Sequence, residues 1–421
     1  MTTARTGRRD LAIIAFTAFM NFIGLTIAFP IFTPMCLEQA GSILPAGASM
    51  PLRTTILGFL LGIFPLCQFF TSPLLGALSD RWGRKKVLLY SIVGSCGGYL
   101  IMAVGILAGS LPLVFLSRII SGCFSGSLAV TQSAIADLSD EKTRPKNFGL
   151  LGAAFGLSLF IGPALGGFLS DPGVYAGFSY ATPFWIAAFL TGINFLQVAW
   201  LFSETLPQER RRQVAFHPLV GPINIVRAFA APAYRKMFMV VLALYFGFNF
   251  FTQFFQVYLV EKFSVSGSQL GIILSYLGIC SILTQVLLVR PVSKRFSSRQ
   301  VLPVSLLLLA VSFPALLVVQ QFWLLFPVIL FIPLFSGLSN PNLTALVCGL
   351  AGKENQGEIL GVNQSVMAMA QFVPPLIGGY IVGQHFTLPL WIAFAAILLA
   401  WVLFLKTSGG QQGNTAKKNS S

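Results

Sequence analysis

Long apolar stretches alternate with short polar ones along nearly the whole chain. A helix needs about 20 apolar residues to cross the hydrocarbon core of a bilayer. Stretches of this length predict twelve membrane-spanning helices and an all-α integral membrane protein. The predicted helices cover residues 11–34, 54–78, 87–107, 112–135, 148–169, 183–203, 237–260, 268–289, 301–320, 322–350, 358–383 and 388–406.

The composition supports a protein embedded in lipid. The chain is 55% hydrophobic and only 9% charged, whereas a soluble domain carries a far more charged surface. Its formal charge of +15 would suggest nucleic acid as the partner of a soluble protein. Here the charges fall between apolar segments, so we expect the partner to be the bilayer and expect no nucleic-acid partner.

The basic residues predict the orientation. Most of the 27 lysines and arginines fall at one set of helix ends, while the opposite ends carry only Arg53 and Lys262. Arg118 falls inside a helix. Because cytoplasmic loops are enriched in Lys and Arg, both termini are predicted to be cytoplasmic, which requires an even number of spans.

The polar stretch at 204–236 predicts a cytoplasmic linker between a six-helix half at 1–203 and another at 237–406. Within the linker, residues 222–230 could lie on the membrane surface. The tail at 407–421 is predicted to be disordered. Residues 290–299 follow the eighth helix as 76–86 follow the second, so we expect a repeat of two halves with substrate held between them.

Residues 76–86, with the sequence GALSDRWGRKK, join the second and third predicted helices through what reads as a short basic loop. The run resembles the signature that follows the second helix of major facilitator superfamily transporters. Asp137 and Arg144, after the fourth helix, resemble another loop motif of that family. The resemblance implies a conformational gate built from Gly76, Asp80, Arg81, Gly83, Arg84, Asp137 and Arg144.

The fifth helix is rich in glycine and resembles the antiporter signature of drug and tetracycline exporters. Its motif residues are Gly149, Gly162, Pro163, Gly166 and Gly167. Ordinary packing of small residues is the alternative explanation. In the first helix, Asn21 stands where many drug:proton antiporters have Asp. No Asp or Glu falls near the middle of a predicted helix. Because a carboxylate near the middle of the membrane is the usual proton carrier, the sequence does not identify which residue carries the proton.

Amides and one arginine are the candidates for a substrate or coupling cavity. Arg118 resembles a fourth-helix arginine that is linked to proton coupling in the same exporters, although it could instead reach the membrane surface. The amides could equally be hydrogen-bond links between helices. Without a central carboxylate, the set favours a neutral, zwitterionic or anionic organic substrate. The candidates are Asn21, Arg118, Gln132, Tyr245, Asn249, Gln253, Gln256, Gln364 and Gln371.

Enzymatic chemistry has no support in the sequence. The six cysteines are scattered, and neither a metal-ligand spacing nor a catalytic constellation occurs. The resemblance implies a monomeric multi-pass protein of the inner or plasma membrane that exports drugs or metabolites by alternating access. The proton gradient would supply energy without a cofactor. An importer of an anionic nutrient or siderophore-like solute, and a non-transporting receptor or scaffold, stay open as alternatives.

Overall fold

The computed structural model describes residues 2–37, 43–45, 47–139, 144–211, 220–230, 232–348 and 356–418. All regular secondary structure in these ranges is helical. The α-helices α1 to α17 are Thr2–Thr26, Phe29–Leu37, Met50–Trp82, Arg84–Leu107, Leu111–Ser125, Ser127–Asp137, Arg144–Ser170, Thr182–Trp200, Val220–Ala230, Pro232–Phe263, Gly267–Leu283, Arg290–Arg295, Ser298–Val318, Leu325–Ile329, Phe331–Cys348, Gln356–Gln384 and Leu388–Lys418. Short 3-10 helices cover Gln208–Arg210 and Phe322–Leu324, and a π-helix covers Thr284–Val289.

Twelve helical stretches in the described ranges are long and apolar enough to cross a bilayer. We call them spans 1 to 12: Arg8–Leu37, Met50–Trp82, Arg84–Leu107, Leu111–Asp137, Asn147–Ser170, Thr182–Trp200, Tyr234–Phe263, Gly267–Arg295, Ser298–Val318, Phe322–Val347, Val362–Gln384 and Leu388–Thr407. The prediction of a twelve-helix, all-α membrane fold is confirmed. The side on which the termini lie stays a prediction.

Span 10 is interrupted at Leu330, between α14 and α15, and two further spans that the sequence predicts as single helices are also interrupted. Span 1 breaks between Thr26 and Phe29, just before Pro30, whose ring nitrogen cannot donate the helical hydrogen bond. Span 4 breaks at Gly126, where α5 ends and α6 begins. The interruptions of spans 1 and 4 therefore fall at residues that weaken a helical backbone, and the uniform apolar pattern conceals them.

The junction of spans 2 and 3 corrects the prediction of a basic loop. Span 2 runs through to Trp82 and span 3 begins at Arg84, so that Gly83 alone separates them. Gly83 has φ of 97°, a conformation that a residue with a Cβ adopts only at a cost. Its N–H donates to the Ser79 carbonyl at 3.1 Å and closes span 2. Asp80 and Arg81 consequently lie on the last turn of a helix.

The chain divides into two compact units. The first comprises Met1–Val220 and Ser264–Ile279, and the second comprises Gly221–Phe263 and Cys280–Ser421. The division at residue 220 falls inside the predicted linker, and the first part of span 8 clusters with the first unit. The predicted boundaries at 203, 236 and 406 stay a prediction, as does the disorder of the tail.

Each unit has its own apolar core. The core of the first unit gathers buried side chains near the shared ends of spans 1 to 6, among them Ile14, Leu88 and Phe202. In the second unit, Phe251 on span 7 packs against the Phe313 ring on span 9 with centroids 5.0 Å apart. These cores hold the spans that position the polar clusters described next.

Candidate functional site

Arg84 is the centre of a charged cluster at one end of the first unit. It opens span 3 and is only 6% exposed. Its Nη1 lies 2.6 Å from Asp80 Oδ1 on span 2, and its Nε lies 3.1 Å from Asp137 Oδ2 on span 4. Nη1 also donates to the Ser79 hydroxyl. A buried guanidinium requires such compensation, and here three consecutive spans are joined through a single side chain.

Glu204, which follows span 6, completes this cluster. Its carboxylate accepts the backbone N–H groups of Arg84 at 2.8 Å and Lys85 at 3.2 Å. These are among the first N–H groups of span 3, which lack partners within the helix, and the helix dipole favours negative charge there. A Cβ on Gly83 would lie 2.9 Å from the Glu204 carboxyl carbon. The glycine therefore provides both the turn and the space for this carboxylate.

The structure joins some of the predicted gate residues and leaves others apart. Asp80, Gly83, Arg84 and Asp137 meet in the cluster, whereas Arg81 is exposed and a Cβ on Gly76 would have only one atom as close as 4.0 Å. The side chain of Arg144 lies outside the described residues. Ser79 and Glu204 belong to the cluster although sequence reasoning did not select them. No local sequence signal could have found Glu204, because it lies 120 residues from the Arg84 N–H group that it binds.

Arg118 lies in the interior of the first unit and is 3% exposed. Its Nε donates to the Leu60 carbonyl at 3.0 Å. The guanidinium carbon lies 4.5 Å from the centre of the Phe64 ring and 5.1 Å from that of Phe32, which are cation–π distances. No carboxylate of the described residues forms an ion pair with it. The guanidinium of Arg118 is therefore enclosed by helices of the first unit and does not reach the protein surface.

Asn21 borders a small polar cavity in the same unit. Its Nδ2 donates to the Thr17 carbonyl at 3.0 Å, and its Oδ1 accepts from the Ser127 hydroxyl at 3.1 Å. The cavity has a volume of about 20 Å³, enough for one water molecule. Hydroxyl and amide groups line it together with Phe64 and Tyr99. Both ends of the Asn21 amide are thus already bonded, and none of the described residues that line the cavity is a carboxylate.

The second unit carries the other predicted amides. Gln253 and Gln256 are 2% and 0% exposed on span 7. Tyr245 is hydrogen-bonded to Thr344, and its carbonyl accepts from Asn249 at 2.8 Å. Gln253 Oε1 has no hydrogen-bond partner in the described part of the chain. A buried amide oxygen without a partner is costly unless water or a ligand binds it.

Span 11 presents a different amide from the one that the sequence favours. Gln364 is exposed and Gln371 is half-buried, as is Gln132 of span 4. Asn363 is 3% exposed, and its Oδ1 lacks a partner among the described residues. Neighbouring positions of a helix point about 100° apart. The inward amide of this span is therefore Asn363, which sequence reasoning missed.

The glycines of span 5 allow close helix contacts within the first unit. A Cβ on Gly162 would lie 2.9 Å from Thr26 Cβ, and one on Gly167 would lie 2.8 Å from Gly271 Cα. Gly166, beside Pro163 in the same motif, faces the Ile27–Pro30 segment just as closely. A Cβ on Gly149 would meet no atom within 4 Å. The packing role therefore applies to the Gly162–Gly167 part of the motif.

Asp171, directly after span 5, contacts the start of span 8. Burial raises the pKa of this carboxyl, but hydrogen bonds from Ser268, Ser266 and the Gly173 N–H outweigh burial and lower the pKa below its usual value. The Gly173 bond is 2.8 Å long. An ionised carboxylate at the N-terminus of span 8 is favoured by the helix dipole.

The family model described as Major Facilitator Superfamily matches residues 14–261 and 237–420, which together cover almost the whole chain. The chain belongs to the Major Facilitator Superfamily. Both matches include spans that carry the clusters described above.

Several curated relatives are resistance proteins. The chain is 30% identical to the class C tetracycline resistance protein of Escherichia coli over 76% of this chain and 78% of that protein. It is 26% identical to the quinolone resistance protein NorA of Staphylococcus aureus over 94% and 96% of the two chains. It is also 26% identical to multidrug resistance protein 2 of Bacillus subtilis over 89% of each. These relatives confirm the predicted family and favour an efflux transporter over an importer or receptor.

Two solved structures share the fold. The human organic anion transporter MFSD10 (TETRAN) superposes with a TM-score of 0.70 and 20% identity, covering 94% of this chain and 99% of that one. A D-xylose–proton symporter gives a TM-score of 0.74 at 14% identity, covering 94% and 96%. At these identities the likeness establishes the fold.

Proposed function

We propose that this transporter exports small organic solutes by alternating access, using the proton gradient as its energy source. The observation that carries the proposal is the similarity to tetracycline, quinolone and multidrug resistance proteins along most of the chain. The two compact units would be the bodies that move during the cycle. No cofactor enters the proposal, and the protein would act as a monomer in the inner or plasma membrane.

The Arg84 cluster is the proposed gate. It ties the ends of spans 2, 3 and 4 to Glu204 through charged groups that are partly exposed, the Asp80 carboxylate being 41% exposed. Exposed ion pairs contribute only about 0–1 kcal/mol each. When two conformers differ in free energy by only a few kcal/mol, a contribution of this size changes their relative populations. The cluster can therefore favour one conformer while still releasing it in every cycle.

Arg118 is the proposed group for substrate or coupling. It is a buried cation with aromatic neighbours and without a carboxylate among the described residues, so an anionic or zwitterionic group would complete its coordination. Asn21, in the same unit, adds a neutral amide that is already hydrogen-bonded. This set favours neutral, zwitterionic or anionic solutes over cations.

Accumulation of tetracycline in cells expressing the protein tests the direction of transport. Export lowers the cellular concentration relative to cells with empty vector, import raises it, and a receptor leaves it unchanged. Proteoliposomes then test coupling, because nigericin collapses the pH gradient and should abolish accumulated flux. Flux that persists after the collapse would leave an exchanger or uniporter as the mechanism.

Ethidium tests the charge preference in the same vesicles. As a permanent cation, it should compete poorly with tetracycline for transport. Strong ethidium transport that survives Arg118→Ala would contradict the proposed substrate class.

A further inference from the structure

The small polar cavity of the first unit is lined by hydrogen-bond donors without partners. Tyr99 of span 3 and Ser121 of span 4 are each 6% exposed, and their hydroxyl groups form no hydrogen bond with a described residue. Asn194 of span 6 is 1% exposed, and its Nδ2 likewise lacks a partner in the described ranges. Buried donors of this kind are costly unless a bound group accepts from them. Three spans therefore direct unused donors at one small space.

The amide oxygens of the same cavity are already in use. Asn21 Oδ1 accepts from the Ser127 hydroxyl at 3.1 Å, and Asn194 Oδ1 accepts from the Thr17 hydroxyl at 2.9 Å. None of the described lining residues is a carboxylate. Hard cations bind through carboxylate and carbonyl oxygens, and the lining side chains offer neither a carboxylate nor a free amide oxygen. The unused groups therefore suit an anion and not a cation.

Arg118 supplies positive charge beside these donors. It precedes Ser121 by three positions and Ser125 by seven in α5, so all three residues share one helix face. The Phe64 ring lines the cavity and also lies 4.5 Å from the Arg118 guanidinium carbon. Nε is the one guanidinium nitrogen that donates to a described residue. Water in the cavity would satisfy the hydroxyl groups but leave this charge without a counter-ion, whereas an anion would do both.

Glycine contacts fix the two unused hydroxyl groups in place. A Cβ on Gly24 of span 1 would lie 3.3 Å from Tyr99 Cζ, and one on Gly98 of span 3 would lie 3.3 Å from Ser121 Cβ. Spans 1, 3 and 4 therefore approach one another closely at the cavity wall. Because the donors are held by packing, little conformational freedom is lost when an anion binds.

We propose that this cavity is a binding site for one chloride ion. Its volume of about 20 Å³ admits a particle close to the size of a water molecule and excludes sulfate and phosphate. The Tyr99 and Ser121 hydroxyl groups and the Asn194 amide donate to the ion. Hydrogen bonds to an ionised acceptor are roughly twice as strong as neutral ones. The chloride also compensates the Arg118 charge when no substrate is bound.

The site makes one further prediction about transport. Under the proposed function, chloride and a negatively charged substrate group would compensate the same guanidinium. Raising the chloride concentration should then weaken the transport of an anionic solute. This consequence rests on the proposed function, whereas the binding of chloride does not.

The thermal transition of the full-length protein in detergent tests the site. Sodium chloride is exchanged for sodium gluconate at constant ionic strength. Chloride should raise the transition temperature saturably, because a ligand that binds the folded protein stabilises it, and bromide should act in the same way while sulfate should not. Tyr99→Phe and Ser121→Ala each remove one hydrogen bond to the ion, so each should weaken chloride binding roughly 10- to 100-fold.

Ser125→Ala is the matched control on the same helix face. Ser125 lines the cavity, but its hydroxyl already donates to the Gly122 carbonyl at 2.9 Å, so its loss should change chloride affinity little. Equal losses of affinity in Ser121→Ala and Ser125→Ala would overturn the proposal. So would equal transitions of the wild-type protein in chloride and gluconate, or a stabilisation that follows the sodium concentration instead.

If Tyr99→Phe and Ser121→Ala do not fold, wild-type crystals soaked in bromide decide the question. An anomalous peak bordered by Tyr99, Ser121 and Asn194 would support the site, and the absence of a peak there would overturn it. Chloride binding in a protein without tetracycline flux would count against the proposed function alone. Tetracycline flux in a protein that does not bind chloride would count against this site alone.

Discussion

Two arginines in the first unit are buried to nearly the same extent and surrounded in opposite ways. Arg84 is 6% exposed and Arg118 is 3% exposed. Arg84 has two carboxylates, at 2.6 and 3.1 Å. Arg118 has one backbone carbonyl and two aromatic rings. Burial alone therefore does not separate the proposed gate residue from the proposed binding residue, whereas the groups that compensate each charge do.

The different surroundings of Arg84 and Arg118 imply different contributions to stability and different proposed roles. A buried cation that loses its carboxylates is strongly destabilising, so the Arg84 cluster is expected to stabilise the conformer in which it forms. Arg118 has no carboxylate partner among the described residues, and under the proposed function a negatively charged substrate group would supply one. The following substitutions test this distinction, beginning with the largest expected effect.

Arg118→Ala should leave the protein inserted but abolish most tetracycline transport. A hydrogen bond to a charged group contributes roughly 1.5–3 kcal/mol, which corresponds to about 10- to 100-fold weaker binding. The measurement is the concentration dependence of transport in proteoliposomes containing equal amounts of protein. Arg118→Lys is the matched control, since it keeps the charge and loses the planar fork. Unchanged transport by both variants would remove Arg118 from the binding site.

Gly83→Ala should destabilise the Arg84 cluster without replacing any of its ionisable side chains. The Gly83 backbone, with φ 97° and ψ 154°, is close to a region that essentially only glycine adopts, and it costs a residue with a Cβ of order 1–3 kcal/mol. The added methyl group would also displace Glu204 from the start of span 3. The expected result is a lower thermal transition in detergent and reduced transport. Gly76→Ala is the control, because a Cβ there has open space. Equal transitions for the two variants would show that the Gly83 turn carries no special strain.

Asp80→Asn and Asp137→Asn should reduce turnover more than stability. Each removes one charge beside Arg84 and leaves the other carboxylate in place, so the loss in unfolding free energy should be about 1 kcal/mol or less. The loss in unfolding free energy should be larger for Asp137→Asn, because the Asp137 side chain is 24% exposed and that of Asp80 is 41% exposed. Transport rates under saturating tetracycline, set against thermal transitions, measure the two effects. Normal turnover in both variants would remove the gate assignment.

The apolar pattern predicts the span count but not the details within each span. Length and hydropathy suffice for twelve spans because the bilayer sets one length for all of them. Length and hydropathy do not predict the turn at Gly83. The run of basic residues suggested a loop there, whereas Gly83 alone separates the two helices. The sequence also did not predict which face of span 11 points inward, since Asn363 and Gln364 are adjacent residues on the same helix. Only tertiary packing decides which of those two amides points inward.

The gate cluster was more predictable than the environment of Arg118. Asp80, Arg84 and Asp137 belong to the two loop motifs from which the resemblance implied a gate, and their opposite charges are consistent with the contacts they form. Glu204 was assigned to the linker because nothing in its local sequence shows that it reaches the start of span 3. The Phe32 and Phe64 rings beside Arg118 were similarly hidden, since aromatic residues are frequent throughout this chain, with 40 phenylalanines.

Lys262 tests whether a missing carboxylate is sufficient to mark a functional cation. Its Nζ donates to the Leu317 carbonyl at 2.9 Å and to the Tyr258 hydroxyl at 3.1 Å, and no ion pair to it occurs among the described residues. Because those bonds lie at the end of span 9, Lys262 should act as a helix cap. Lys262→Met should then cost about 1 kcal/mol or less in stability and leave tetracycline transport unchanged. A transport loss as large as that of Arg118→Ala would mean that the absence of a carboxylate does not distinguish binding cations from capping ones. Because Lys262 Nζ also lies 5.4 Å from the Tyr258 ring and 5.5 Å from the Phe263 ring, only the deeper burial of Arg118 would then support its assignment.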